Sequence, residues 1–238
     1  DANQVIITTS YRIGETGPAI DEDIQSKLYA GVADFFAEDL PLESFFTDDT
    51  EDAIGLVGSR VVGPTIADDI KSGAVYSIIF SLIVVFLYIL IRFRKWQFSL
   101  GAVVALLHDV LFVMGVFSLA DGFLPFQLEV DQAFIAAILT VIGYSLNDTV
   151  VVFDRIRENM GSRRKQNTDS VNKSLNQTLS RTFNTSLTTF FVLLVIFLFG
   201  GEVIRGFMFA LLLGVLVGTY SSLFIATPVM FDASDKES

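Results

Sequence analysis

Residues 143–159, Gly143-Tyr-Ser-Leu-Asn-Asp148-Thr-Val-Val-Val-Phe153-Asp-Arg155-Ile-Arg157-Glu-Asn159, decide the reading of the chain: they set one carboxylate inside an apolar run and leave through two arginines. From Gln132 to Phe153 there are 22 residues with Asp148 as the only formal charge. At about 1.5 Å per residue that length crosses a hydrocarbon core of roughly 30 Å. Asp148 is therefore expected inside a membrane. A charge at that depth costs on the order of 2.5–3.5 kcal/mol on insertion scales, and residues that bear this cost face a bundle interior and mark ion or proton paths.

Working outward, further apolar runs repeat the pattern. Ser72 to Ile91 is uncharged and ends at the basic, aromatic anchor Arg92-Phe-Arg-Lys-Trp96. Trp96 to Ala120 is interrupted only by His108 and Asp109, while Thr182 to Gly201 and Gly206 to Phe231 carry no charge. The expectation is a polytopic α-helical membrane protein with five spans, at about 72–91, 96–120, 132–153, 182–201 and 206–231, within a membrane body of residues 65–231. Composition agrees: 52% of the 238 residues are hydrophobic, 23 are Phe, and mean hydropathy is +0.57.

Charge divides the chain. Residues 1–71 hold four Lys/Arg against fifteen Asp/Glu, which accounts for the whole net charge of -11. Residues 1–64 read as a small acidic α+β domain: Val5 to Tyr11 and Ala53 to Val62 are strand candidates, and Ile20, Ile24, Leu28 and Phe35 recur at helical spacing. So small a module buries little surface alone. After Pro64, Thr65 and Asp68 form a capping pair ahead of the first span. The segments Arg92–Lys95 and Arg155–Arg181 bring three and seven positive charges, the 121–131 loop none. Basic loops stay in the cytoplasm, so residues 1–71 are expected outside and the tail 232–238 inside. Five spans with an outside head imply a further helix before residue 1.

Helical spacing sorts the polar groups. Ala136, Thr140, Gly143 and Asn147 form a small and polar stripe with Asp148 on its flank. Gly101, Ala105 and Asp109 are four apart, and Ala210, Gly214, Gly218 and Ser222 make a close-packing seam centred on Gly214 and Gly218. Arg181, Thr185 and Thr188 share one face of the fourth span, and Arg181 lies near enough in depth to Asp148 for a pair to form. A buried carboxylate holds its proton, whereas a nearby guanidinium favours ionisation, so alternation between the two loads and releases a proton. A packing ion pair, and for Arg181 plain snorkelling, are the bland readings of the same residues.

The stretch Gly143–Asn159, with Val62-Gly63-Pro64, His108-Asp109 and Ser180-Arg181-Thr182 followed by Thr185-Ser186, closely resembles the signature of the SecF family, membrane subunits that work with SecD beside the Sec protein-export channel. The resemblance covers roughly residues 60–230. It implies half of a bundle like that of the resistance-nodulation-division (RND) transporters, in a bacterial inner membrane, driven by the proton motive force. It implies six spans with the soluble domain between the first two, so that this segment lacks the first, whether from a SecF chain or a SecD–SecF fusion. It maps the residues implicated in proton conduction onto Asp148, Arg181 and Thr185, with the counterpart carboxylate in SecD. Asn147, His108 and Asp109 form a second set of candidates; adjacent residues on a helix point about 100° apart, so His108 and Asp109 are not expected to form a mutual relay without other partners. The implied partners are SecD, the SecYEG channel, a preprotein and membrane lipid. The implied task is late-stage export and release of the preprotein outside.

Several classes are excluded or disfavoured. No basic patch interleaves with aromatics for nucleic acid. No Cys and one His leave little for a metal or haem site. No phosphate-binding Gly-rich loop or nucleophile elbow marks an enzyme. No cofactor is expected beyond a coupling ion, H⁺ or Na⁺. The rivals are an RND-type efflux transporter, whose porter domain is larger than about 70 residues, and a structural scaffold in which Asp148 can be neutralised without loss.

Overall fold

The computed structural model describes residues 7, 9, 11–12, 15, 18–35, 45, 64–126, 128–160 and 167–235. The chain divides into two compact units, Asp1–Ser72 and Gly73–Ser238. In the first, α1 spans Pro18–Val32 and runs into a 3₁₀ turn, Ala33–Phe35. Asp21 in the first turn of α1 suits the helix dipole. Ile20, Ile24 and Leu28 are half-buried, but Phe35 is exposed in the 3₁₀ turn and leaves the helical stripe. Tyr29 meets Phe45 edge to face at 5.5 Å. Arg12 pairs with Glu15 and Asp23, and its guanidinium holds the Asp23 carboxyl below the usual carboxylate range. Both strand candidates fall almost wholly outside the described residues, as does the Thr65 side chain; among the described residues there is no strand.

The remaining helices are α2 (Pro64–Phe93), α3 (Trp96–Ala120), α4 (Gln132–Met160), α5 (Thr168–Phe199), α6 (Glu202–Ser221) and α7 (Thr227–Asp235), with a π-helical turn at Ser222–Ala226 joining the last two. Five stretches are long and apolar enough to cross a membrane: Asp68–Phe93, Trp96–Ala120, Gln132–Met160, Thr168–Phe199 and Glu202–Ser234. The protein is polytopic and helical.

Two helix boundaries depart from the sequence reading, for a common reason. α4 continues to Met160 and α5 starts at Thr168, fourteen residues before the apolar run at Thr182. These polar extensions are held against each other: Asn159 Nδ2 donates to Ser174 Oγ and Gln177 Oε1 at 2.8 and 2.9 Å, and Arg155 Nε donates to Gln177 Oε1 at 2.7 Å. Asn167 caps α5 in a reciprocal pair with Ser170. Tertiary contacts and a cap thus make helix where hydropathy predicts a connector. The π-turn has a local cause in Pro228, which has no N–H to give to the Phe224 carbonyl, so the ladder loosens just before it.

α3, α4 and α6 make the centre, with α5 against α4 and α6, and α7 with the π-turn against α3. The buried face of α4 runs through Ala137, Ile138, Val141, Ile142, Ser145, Asp148, Thr149, Val152 and Ile156, steps of three and four. It meets the small-residue seam of α6: a Cβ at Gly214 would overlap the Val141 side chain, and one at Gly218 would sit 2.9 Å from Ser145 Cβ. Gly101 of α3 lies equally close to the Ala226 carbonyl in the π-turn. In a membrane, such close backbone approach and dispersion replace the hydrophobic effect as the source of cohesion.

α2 joins the others at its basic end. Phe93 stacks on Phe98 at 5.0 Å and meets Phe153 edge-on at 5.9 Å. Arg92 and Arg157 both pair with Asp154, at 2.8 and 2.9 Å, and both guanidiniums lie over the Phe93 ring. The outward faces of α2 and α5 are apolar and exposed, including Phe80, Val84, Phe191 and Val195, as hydrocarbon surroundings select.

Candidate ion-coupling site

Asp148 sits in the middle of α4, whose start is fixed by Asp131 capping the Phe134 N–H at 2.9 Å. Its side chain is turned into the bundle and is 3% exposed. Ser186 Oγ of α5 lies 3.3 Å from its Oδ2, Thr219 Oγ1 of α6 lies 2.6 Å from Ser186 Oγ, and the Val215 carbonyl lies 2.9 Å from Thr219 Oγ1. Each hydroxyl carries one hydrogen, so the row has two complete arrangements. With Asp148 ionised, Thr219 donates to Ser186 and Ser186 to the carboxylate. With Asp148 protonated, all three turn round: the acid donates to Ser186, Ser186 to Thr219, and Thr219 to the Val215 carbonyl. Neither state leaves a buried hydroxyl unpaired, which is the usual cost of moving a proton in a low-dielectric interior.

Asp109 of α3 is fully buried. Ser145 Oγ of α4 donates to its Oδ2 at 2.6 Å, and Ser221 Oγ of α6 lies 2.5 Å from its Oδ1. Both lie at the short end of the range for hydroxyl–oxygen hydrogen bonds. His108 Nδ1 stands 3.5 Å from Oδ1, with the ring partly exposed beside Phe112 and Tyr220. One residue on from Asp148 and from Ser221, the Thr149 and Ser222 hydroxyls meet at 2.9 Å. Among the described residues no group of three or more His, Cys, Asp or Glu could hold a metal ion.

Comparison with known proteins places this geometry in a family. Residues 44–236 match the family model described as protein export membrane protein SecD/SecF, C-terminal. The chain belongs to the SecD/SecF family. Protein translocase subunit SecF of Rhodothermus marinus is 60% identical over 178 residues, covering 74% of this chain and 58% of the relative. SecF of Vibrio alginolyticus is 47% identical over 181 residues, covering 76% and 55%. The chain thus spans a little over half the length of the SecF relatives it matches. A crystal structure of SecDF in the super-membrane-facing form is similar with a TM-score of 0.66 and 31% identity, over 93% of this chain and 27% of that one.

The SecD/SecF signature residues are not all brought together. Arg181 and Thr185 are exposed on α5, Thr185 Oγ1 returning a hydrogen bond to the Arg181 carbonyl at 2.9 Å. Asp148 and Arg181 form no direct ion pair among the described residues, but the Arg181 guanidinium is near enough to act electrostatically on the Asp148 carboxyl. Asn147 is exposed, and so are Ala136, Thr140 and Gly143, so the small polar stripe of α4 faces away from this bundle. The Gly101, Ala105 and Asp109 face and the Gly214 and Gly218 seam are buried. Sequence reasoning did not single out the hydroxyls Ser145, Thr149, Ser186, Thr219 and Ser221, and it gave Ser222 only a packing role. It also missed the buried row Ser174, Thr178, Thr182 and Ser186 on α5, four apart throughout. That step of four was the available signal, one position round from the Arg181 face.

Proposed function

We propose that the chain is the membrane core of an export subunit that uses an ion gradient, with Asp148 as the group that binds and releases the coupling ion. The observation that carries this reading is a carboxylate 3% exposed, with no ion-pair partner among the described residues, at the head of a hydroxyl row that is complete in both directions. A merely structural acid needs one satisfied state; this one has two. The buried row Ser174, Thr178, Thr182 and Ser186 reaches Asp148 from the basic end of α5, the cytoplasmic end if basic loops lie inside. Arg181 and Thr185, on the exposed side of α5, face what a second half-bundle, that of a SecD partner, supplies.

Energy comes from the gradient, not from a nucleotide: one charge moved through about 100 mV supplies about 2.3 kcal/mol, which shifts a two-state equilibrium some fifty-fold. That shift moves the outer domain and the preprotein it holds beside the SecYEG channel, and no cofactor beyond H⁺ or Na⁺ takes part. The test is gradient-dependent completion of export in vesicles containing the full complex, wild type against Asp148→Asn, with Na⁺ replaced in a parallel arm. Loss of the gradient-dependent part with the complex assembled supports the reading, and the Na⁺ arm identifies the ion. Unchanged export makes Asp148 a packing residue and the bundle a scaffold.

A further inference from the structure

We propose that Asp109 is a second proton-binding carboxylate, set about one helical turn further from the basic end than Asp148 and linked to it through α6. The inference rests on the ion-coupled reading of Asp148. Asp109 shows the same two-state construction, built from different residues. With Asp109 ionised, Ser145 and Ser221 both donate to it, at 2.6 and 2.5 Å. When a proton is added at Oδ1, the acid donates to Ser221, and Ser221 turns its own hydrogen to the Gly218 carbonyl, 3.2 Å away. Ser145 keeps its bond to Oδ2 throughout. No hydroxyl is stranded in either state: Ser222 Oγ, which also reaches the Gly218 carbonyl at 2.8 Å, has the Ser145 carbonyl and the Thr149 hydroxyl as other partners.

The placement agrees. Asp109 is level with Ser145, three residues and about 4.5 Å along α4 from Asp148. Both rows end on carbonyls of α6, Gly218 and Val215, within one turn of each other, and the π-turn of α6 begins at Ser222. Loose turns of this kind allow register change and recur at functional sites. His108 stands beside the acid: its Nδ1 is buried without a hydrogen bond among the described residues and lies 3.5 Å from Oδ1, while its ring is partly exposed. Other charges on the packed elements are remote: Asp154 is nine residues beyond Ser145 on α4, and Glu202 and Arg205 are at the far end of α6. On α7, Asp232 is exposed.

The test is pH-difference infrared spectroscopy of the full-length protein with its partner subunit in vesicles, where every titrating carboxyl contributes a carbonyl band and each acid is read as the difference between wild type and its Asn variant. Asp148→Asn and Asp109→Asn are each expected to remove one band, leaving the other. Both bands surviving Asp109→Asn overturns the inference. Should that variant not assemble, Ser221→Ala decides: the Asp109 band moves to higher frequency as the acid loses its acceptor, and an unchanged spectrum overturns it. If Asp148→Asn also spares gradient-dependent export, the ion-coupled reading itself fails; if only Asp109→Asn is silent, this inference fails alone.

Discussion

Two halves of one helix are built on opposite principles. From Ser145 to Thr149, α4 touches its neighbours through hydroxyls and carboxylates that have alternative partners: Ser145 with Asp109, Asp148 with Ser186, Thr149 with Ser222. From Val152 to Asn159 it touches them through contacts with one geometry. Phe153 packs on Phe93 and Phe98, Asp154 is held by two arginines, and Asn159 is fixed by Ser174 and Gln177. The 17-residue signature is thus an exchangeable half joined to an anchored half. The anchor sets the position of α4, so the exchangeable contacts can reverse without displacing the helix.

The sharpest way to break this division is to strike the anchor. Phe153 is completely buried against two rings, and Phe153→Ala is expected to cost about 3–5 kcal/mol by the yardstick of large-to-small core changes. Denaturant unfolding of the purified complex measures it, and a loss below about 1 kcal/mol would mean α4 is held elsewhere. Next comes the seam that serves both halves. Gly214→Val puts a branched side chain where Val141 already lies, and overpacking of this kind costs about 1–3 kcal/mol. If the variant is as stable as wild type, α4 and α6 do not approach as closely as their small residues allow. Asp154→Asn is a smaller blow, since the acid and both arginines are partly exposed; about 0.5–1 kcal/mol is expected, falling with added salt.

The anchored half was the more legible in the sequence. Arg92-Phe-Arg-Lys-Trp96 announces the end of α2 at an interface, the charges after Phe153 announce the end of the apolar run although α4 continues to Met160, and run lengths alone give the five spans. The exchangeable half was harder because its faces look alike. α4 offers small or polar residues on both sides, Ala136, Thr140 and Asn147 on one and Ala137, Ser145 and Asp148 on the other. Periodicity says that a face exists, not which neighbour it meets. On α5 the spacing marks two adjacent faces, Arg181 with Thr185 and, about 100° round, Thr182 with Ser186, and it does not say which of them meets α4. Asp109 was visible as a charge in an apolar run, but its partners Ser145 and Ser221 lie 36 and 112 residues away. Only the packed bundle joins them.

The smallest expected change in stability is also the one that sharpens the contrast most. Asp148→Asn keeps the side-chain shape, and the amide oxygen still accepts from Ser186, so unfolding is expected to move by less than about 1 kcal/mol. What the amide cannot do is gain and lose a proton at that oxygen. The hydroxyl row Ser186, Thr219 and the Val215 carbonyl is then confined to one direction, and gradient dependence goes while stability stays. Phe153→Ala gives the reverse pattern, stability lost with each surviving complex still responsive to the gradient. If instead Asp148→Asn destabilises the complex by several kcal/mol, comparable to Phe153→Ala, then Asp148 belongs to the anchor, and the helix has one construction from end to end.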